Sequence, residues 1–166
     1  MNITVFMSSL VGKDSVYVEK ATEFGVWMAK NGHTMVFGGS KEGLMQRMAE
    51  AALEHGGRVI GVQTKILNET YGAVDNLTRL ELTNRMAERI KRMIELGDMF
   101  VIFPGGMGTL EEAATVMSMN KLGAMKKTIC FYNLGKGAME YRKEVIMART
   151  YDIEIHIPSM DGYKEV

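Results

Sequence analysis

Short β-rich apolar runs alternate with helix-periodic segments along this chain, and no feature restricts its fold more. Ile3 to Met7 is the first such run. Asp14 to Asn31 then carries apolar residues at helical spacing (Val18, Ala21, Phe24, Gly25, Met28) and stops at Asn31-Gly32. The pattern repeats with a strand at Thr34 to Phe37, Gly38-Gly39-Ser40, a helix from about Glu42 to His55 and the stop Gly56-Gly57. Arg58 to Val62 reads as a third strand, Gln63 to about Asn76 as a polar loop and Leu77 to Leu82 as a short fourth strand. Asn84 to Leu96 is helical, Asp98 to Phe103 strand, Thr109 to Leu122 helical, Thr128 to Tyr132 strand and Ala138 to Arg149 helical. Strands this short, joined by crossover helices, imply a parallel sheet covered on both faces. The expected fold is a doubly wound, Rossmann-like α/β domain, and 166 residues with 46% hydrophobic content suit a single core over 1–166.

Ligands in such sheets bind beyond the carboxyl ends of the strands, where connections diverge. Met7-Ser8-Ser9, Gly38-Gly39-Ser40 and Pro104 to Thr109 all fall on that edge and can line one crevice. The last is the most informative. Pro-Gly-Gly-Met-Gly-Thr-Leu-Glu-Glu, residues 104–112, follows an apolar strand and opens a helix. A helix start offers unpaired N–H groups and a positive dipole end to an anion, and Gly105, Gly106 and Gly108 let a phosphate come close to the backbone. Thr109 with Glu112 three residues later also fits a plain capping box. Three glycines in four positions exceed what a cap requires, which argues for a ligand. Neither Gly-x-Gly-x-x-Gly nor a Walker A loop is present, which argues against a nicotinamide dehydrogenase and a P-loop ATPase.

The formal net charge of +0 and a pI near 6.8 give no general attraction to nucleic acid polymers or anionic membranes, so anion selectivity has to be local. No apolar run approaches the roughly 18 residues of a membrane span, and there is no basic leader, so a cytoplasmic protein is expected. The one cysteine, Cys130, sits in an apolar run and reads as a buried small hydrophobe. His33, His55 and His156 lack metal-ligand spacing, so no metal is expected. The 16 methionines lie at helical spacing with Leu and Ala, suiting adaptable core or dimer packing, and the tail Tyr151 to Val166 reads as an edge strand or partner contact.

Gly-Gly-Ser-Lys-Glu-Gly-Leu-Met at 38–45, Met-Ala-Glu-Arg at 86–89 and the 104–112 stretch together resemble the Lonely Guy family of nucleoside 5′-monophosphate phosphoribohydrolases, members of which were often labelled lysine decarboxylases. The resemblance covers about residues 3–150. It implies a cytosolic, usually dimeric enzyme that splits an adenine-type nucleotide, AMP or a cytokinin riboside 5′-monophosphate, into free base and ribose 5-phosphate without a cofactor. Carried over by motif, the catalytic pair falls on Arg89 and Glu112. The nucleotide contacts fall on Gly106, Met107, Gly108, Thr109, Leu110 and Glu111, with Ser118 on the same helix and Glu69 as the base-contacting acid. Ser9, Gly38, Gly39, Met86 and Gly105 complete the expected substrate-binding set. The chain departs from the family pattern at Ser40, Gln46, Ile90 and Met119, with Ile90 standing where a lysine commonly follows the arginine.

The chemistry stands without the family. N-glycoside hydrolysis passes through an oxocarbenium-like sugar, which a carboxylate such as Glu112 can steady, or for which it can orient water as general base. A guanidinium such as Arg89 can hold a phosphate or keep that carboxylate ionised. On pattern alone Arg89 also fits a solvated helix face, among Glu88, Lys91 and Arg92. Two further readings remain. One is a non-catalytic carrier or sensor of a phosphorylated ligand, like the molybdenum-cofactor carriers. The other is pyridoxal-phosphate decarboxylation, which needs a Schiff-base lysine that no context here singles out.

Overall fold

The computed structural model describes residues 1–13 and 15–132. Its elements are β1 (Asn2–Phe6), α1 (Val16–Lys30), β2 (Thr34–Phe37), α2 (Gly43–Glu54), β3 (Arg58–Thr64), α3 (Lys65–Tyr71), β4 (Arg79–Thr83), α4 (Met86–Leu96), β5 (Met99–Ile102), α5 (Met107–Lys121) and β6 (Ile129–Phe131). The expected helix at Ala138 to Arg149 and the tail from Tyr151 lie outside the described residues. The strands form one six-stranded sheet in the order β4-β3-β2-β1-β5-β6, with every pairing parallel. This is the doubly wound arrangement expected from the alternation.

Strand alternation divides the core into two layers. Ile3, Val5, Met35, Phe37, Val59, Val101 and Phe103 face α1 and α2, meeting Ala21, Phe24, Met28, Leu44 and Met48. Phe6, Val36, Ile60, Val62, Phe100 and Ile102 face the other way, onto Ile90, Met93 and Ile94 of α4 and Ala113 and Val116 of α5. Ile90 is therefore a core residue. Several methionines serve the packing role expected of them, with Met28, Met35 and Met48 fully buried. Cys130 is half-buried rather than buried.

Four elements, β3, α3, β4 and α5, depart from the sequence expectation in ways that bear on the site. The polar stretch after Val62 is not a loop throughout: β3 runs on to Thr64, whose hydroxyl accepts from the Leu67 N–H at 3.2 Å and caps α3. No residue of α3 is buried, so it has no apolar stripe to betray it. The fourth strand is shifted to Arg79–Thr83, and α5 begins at Met107 with Gly106 as its N-cap. Thr109 is thus inside the first turn and the Thr-Glu capping box does not form.

The topology fixes where ligands can reach. The chain winds outward from β1 to β4, then returns to lay β5 on β1's other side, so the connections diverge between β1 and β5. The loops leaving those strands touch there, with the Ser8 N–H donating to the Pro104 carbonyl at 3.3 Å. Among the described residues, no helix is long and apolar enough to cross a membrane.

Candidate active site

Between α4 and α5, against β3 and the turn that follows β2, lies a buried ion pair that the sequence pattern alone did not decide. Arg89 occurs in α4 among charged neighbours, yet it is only 7% exposed. The helix explains it: Arg89 shares a face with Met86 and Met93, while Lys91 and Arg92 point outward to Glu95 and Glu81. The reading as a solvated face is therefore incorrect. Arg89 Nη1 donates to Glu112 Oε1 at 3.0 Å, and its Nε donates to the Val62 carbonyl at the end of β3, also at 3.0 Å. Three elements thereby hold one guanidinium: α4 supplies it, β3 orients it and α5 supplies the carboxylate.

Glu112 is equally buried, at 7% exposure. Burial pushes its carboxyl above the ordinary range; the Arg89 charge and hydrogen bond act the other way, and Glu111 adds to the rise. The result is a carboxylate whose protonation depends on its arginine. That suits acid–base work better than a surface ion pair would.

The glycine loop separates into two functions. A Cβ on Gly105 would lie 2.1 Å from Thr109 Oγ1, so this glycine makes room for the buried threonine. Among the described residues, Gly106 and Gly108 have nothing within 4 Å of the corresponding point and neither has a positive φ, so no packing contact there requires a glycine. The first helical bond of α5 is from the Leu110 N–H to the Gly106 carbonyl at 3.1 Å, which leaves the N–H groups of Met107, Gly108 and Thr109 without an acceptor in the helix. Gly105 through Gly108 are exposed, Met107 at 74%. One turn from Glu112, the chain thus presents bare amides and the positive end of a helix dipole.

The other expected site residues are placed less uniformly. Met86, 44% exposed, is three residues before Arg89 on the same side of α4, and Leu110 and Glu111 stand in the first turns of α5. Ser9 is exposed in the loop after β1, where Ser8 Oγ accepts from the Leu10 N–H at 2.9 Å. Gly38 and Gly39 follow β2; Gly39 has φ +80°, and Gly38 lies against the Arg89 guanidinium. Glu69 is exposed on α3, beyond the end of β3, and makes no contact with the pair. Ser118 is exposed six residues past Glu112, about 9 Å along α5 and on a different side, so the fold does not bring it to the pair. Sequence reasoning missed the Val62 carbonyl, because a backbone acceptor carries no residue signature. It also missed Gln63, 1% exposed, whose Nε2 donates to the Gly72 carbonyl at 3.1 Å while its Oε1 has no partner among the described residues.

Among the described residues, no group of three His, Cys, Asp or Glu side chains could hold a metal ion. His55 Nδ1 is instead within 2.9 Å of the Ala51 carbonyl, and Lys41 pairs with Asp75.

A family model described as a possible lysine decarboxylase matches residues 45–150, which include both members of the pair and the whole glycine loop. This chain belongs to the Lonely Guy family. It is 35% identical over 137 residues to the cytokinin riboside 5′-monophosphate phosphoribohydrolase of Rhodococcoides fascians, covering 80% of this chain and 67% of that one. It is 33% identical over 132 residues to the enzyme LOG of Oryza sativa subsp. japonica, covering 80% and 54%. The chain thus spans about half to two thirds of the length of these Lonely Guy relatives. Among solved structures, the molybdenum cofactor carrier protein of Chlamydomonas reinhardtii matches with a TM-score of 0.67 at 20% identity, over 88% of this chain and 84% of that one. A structural-genomics target matches with a TM-score of 0.73 at 22% identity, over 95% and 92%. At such identities these structures establish the shared fold alone.

Proposed function

We propose that this chain hydrolyses the N-glycosidic bond of nucleoside 5′-monophosphates, AMP or a cytokinin riboside 5′-monophosphate, releasing the free base and ribose 5-phosphate. One observation carries the reading: the buried Arg89–Glu112 pair stands one turn from a helix start with free amides and open glycines. In this reading, the 5′-phosphate occupies the start of α5, on the N–H groups of Met107 to Thr109, with the ribose over Glu112. Glu112, ionised by Arg89, steadies the cationic sugar or draws a proton from water as its oxygen bonds to C1′. The C1′–N bond breaks and the base leaves with its electron pair, taking up a proton. Ser9, Gly39, Met86, Leu110, Glu111 and Glu69 would line the remaining contacts, and no cofactor is required. A homodimeric, cytoplasmic enzyme fits the family's habit.

The names of the relatives support this reading, and so does the intact ion pair. A second reading, carriage of a phosphorylated ligand without turnover, is favoured by the fold shared with the molybdenum cofactor carrier. The decarboxylase description of the family model draws no support from the site, where among the described residues no lysine is hydrogen-bonded or ion-paired to Arg89 or Glu112. Incubation with AMP and with isopentenyladenosine 5′-monophosphate, followed by chromatography for free base, tests the proposal. Binding without base release would favour the carrier.

A further inference from the structure

We infer that Gly38 is a positioning residue for Arg89: the space of its missing Cβ is the slot that aims the guanidinium at Glu112. The inference rests on the reading of the pair as the catalytic centre, but its structural half can be measured alone.

A Cβ on Gly38 would lie 2.1 Å from Arg89 Nη2 and 3.3 Å from its Cζ, with Met45 Sδ of α2 at 3.0 Å. The backbone does not explain the glycine. Gly39 has a positive φ and Gly38 does not, so alanine at 38 would be unstrained apart from what its methyl group meets. What it meets is the tip of a flexible side chain, so the fold can accommodate alanine by moving the arginine. The other two restraints, the Val62 carbonyl on Nε and Glu112 on Nη1, cannot both survive that move with unchanged geometry. Gly38 is therefore the third wall of the arginine's site, and its role in substrate binding is indirect.

Among the described residues, the charges acting on Glu112 are Arg89 from α4 and Glu111 from α5, whereas the turn after β2 presents Gly38, β3 the Val62 carbonyl and α2 the neutral Met45. Displacing Arg89 leaves burial and Glu111 to act with less opposition. Glu112 should then titrate at higher pH.

The test is the titration of the Glu112 side-chain carboxyl followed by carbon NMR in the wild-type chain, Gly38→Ala, Arg89→Gln and the double variant, alongside the pH profile of AMP hydrolysis. Gly38→Ala should move the Glu112 titration upward toward that of Arg89→Gln, shift the acidic limb of kcat/KM with it and lower kcat about a hundredfold, the scale of an ångström-level misplacement. In the Arg89→Gln background, the same glycine substitution should change little, because the nearest group it would strike is gone and only the flexible Met45 side chain has to yield. A Glu112 titration unaltered by Gly38→Ala overturns the inference, even if activity falls. Should Gly38→Ala fail to fold, the double variant decides: folding restored by shortening Arg89 supports the slot, and folding still lost overturns it. If the wild-type chain releases no base from AMP, the hydrolase reading fails, and the NMR comparison still judges Gly38.

Discussion

Glu112 and Arg89 are mutually dependent, and each substitution tests a different half of that dependence. Glu112→Gln keeps an oxygen that can accept from Arg89 Nη1, so the fold and AMP binding should persist. Turnover should drop at least about a hundredfold, the scale of a lost acid–base or charge-stabilising group. Base release by the folded variant at near wild-type rate would reduce Glu112 to a structural residue. Arg89→Ala removes the one group that counters burial, so the Glu112 pKa should climb further and base release from AMP should cease near neutral pH. The sign for stability follows. A carboxyl whose folded pKa exceeds its unfolded value favours the folded state below the unfolded pKa, and that contribution is lost as pH rises through the folded pKa. The melting temperature of Arg89→Ala should therefore fall more steeply than that of the wild type from about pH 5 upward. Parallel melting curves across that window would contradict the assigned role of Arg89.

At the scale of the element, the start of α5 separates a glycine that yields space to Thr109 from two that face open space. Gly105→Ala sets a methyl against Thr109 and should cost about 1–3 kcal/mol by overpacking. Gly108→Ala lies within the helix with open space around it and should stabilise by about 0.5–1 kcal/mol, while Gly106→Ala, at the N-cap, should cost about 0.5–1 kcal/mol. Both nevertheless put a methyl where the phosphate is proposed to sit, and each should weaken ribose 5-phosphate binding by about tenfold, the worth of one hydrogen bond to a charged group. Thermal melts and calorimetry on the three variants read this out; unchanged affinity in both Gly106→Ala and Gly108→Ala would remove the phosphate from the start of α5. The loop's excess of glycine was legible in the sequence, because three close glycines exceed the needs of a cap. Its division was not, because whether a glycine yields space to Thr109 or to solvent depends on rotation about a helix whose start the Thr109 signal misplaced by two residues. Arg89 shows the converse. Its charged neighbours suggested a solvated face, and the burial of Ile90, Met93 and Ile94 on the same helix turns it inward, while α3 escaped notice because it buries nothing.

For the whole molecule, the parallel sheet was readable from alternation alone, whereas the strand order, and with it the meeting of β1 and β5 loops, had to come from tertiary pairing. The fold is also what the chain has in common with the molybdenum cofactor carrier protein, so architecture by itself does not choose between hydrolysis and carriage. The choice lies in how binding energy is used. A carrier gains from holding its ligand tightly in the ground state; a hydrolase gains only from contacts that strengthen as the sugar becomes cationic, with the phosphate as a remote anchor. Nucleoside 5′-monophosphates should therefore be cleaved while the matching nucleosides remain nearly inert, because without the phosphate nothing holds the ribose over Glu112. Free ribose 5-phosphate should inhibit competitively by occupying the same amides. Comparable rates on adenosine and AMP would remove the phosphate from the mechanism and leave the start of α5 as an ordinary helix terminus; tight AMP binding with no free adenine would instead assign the same amides to a carrier.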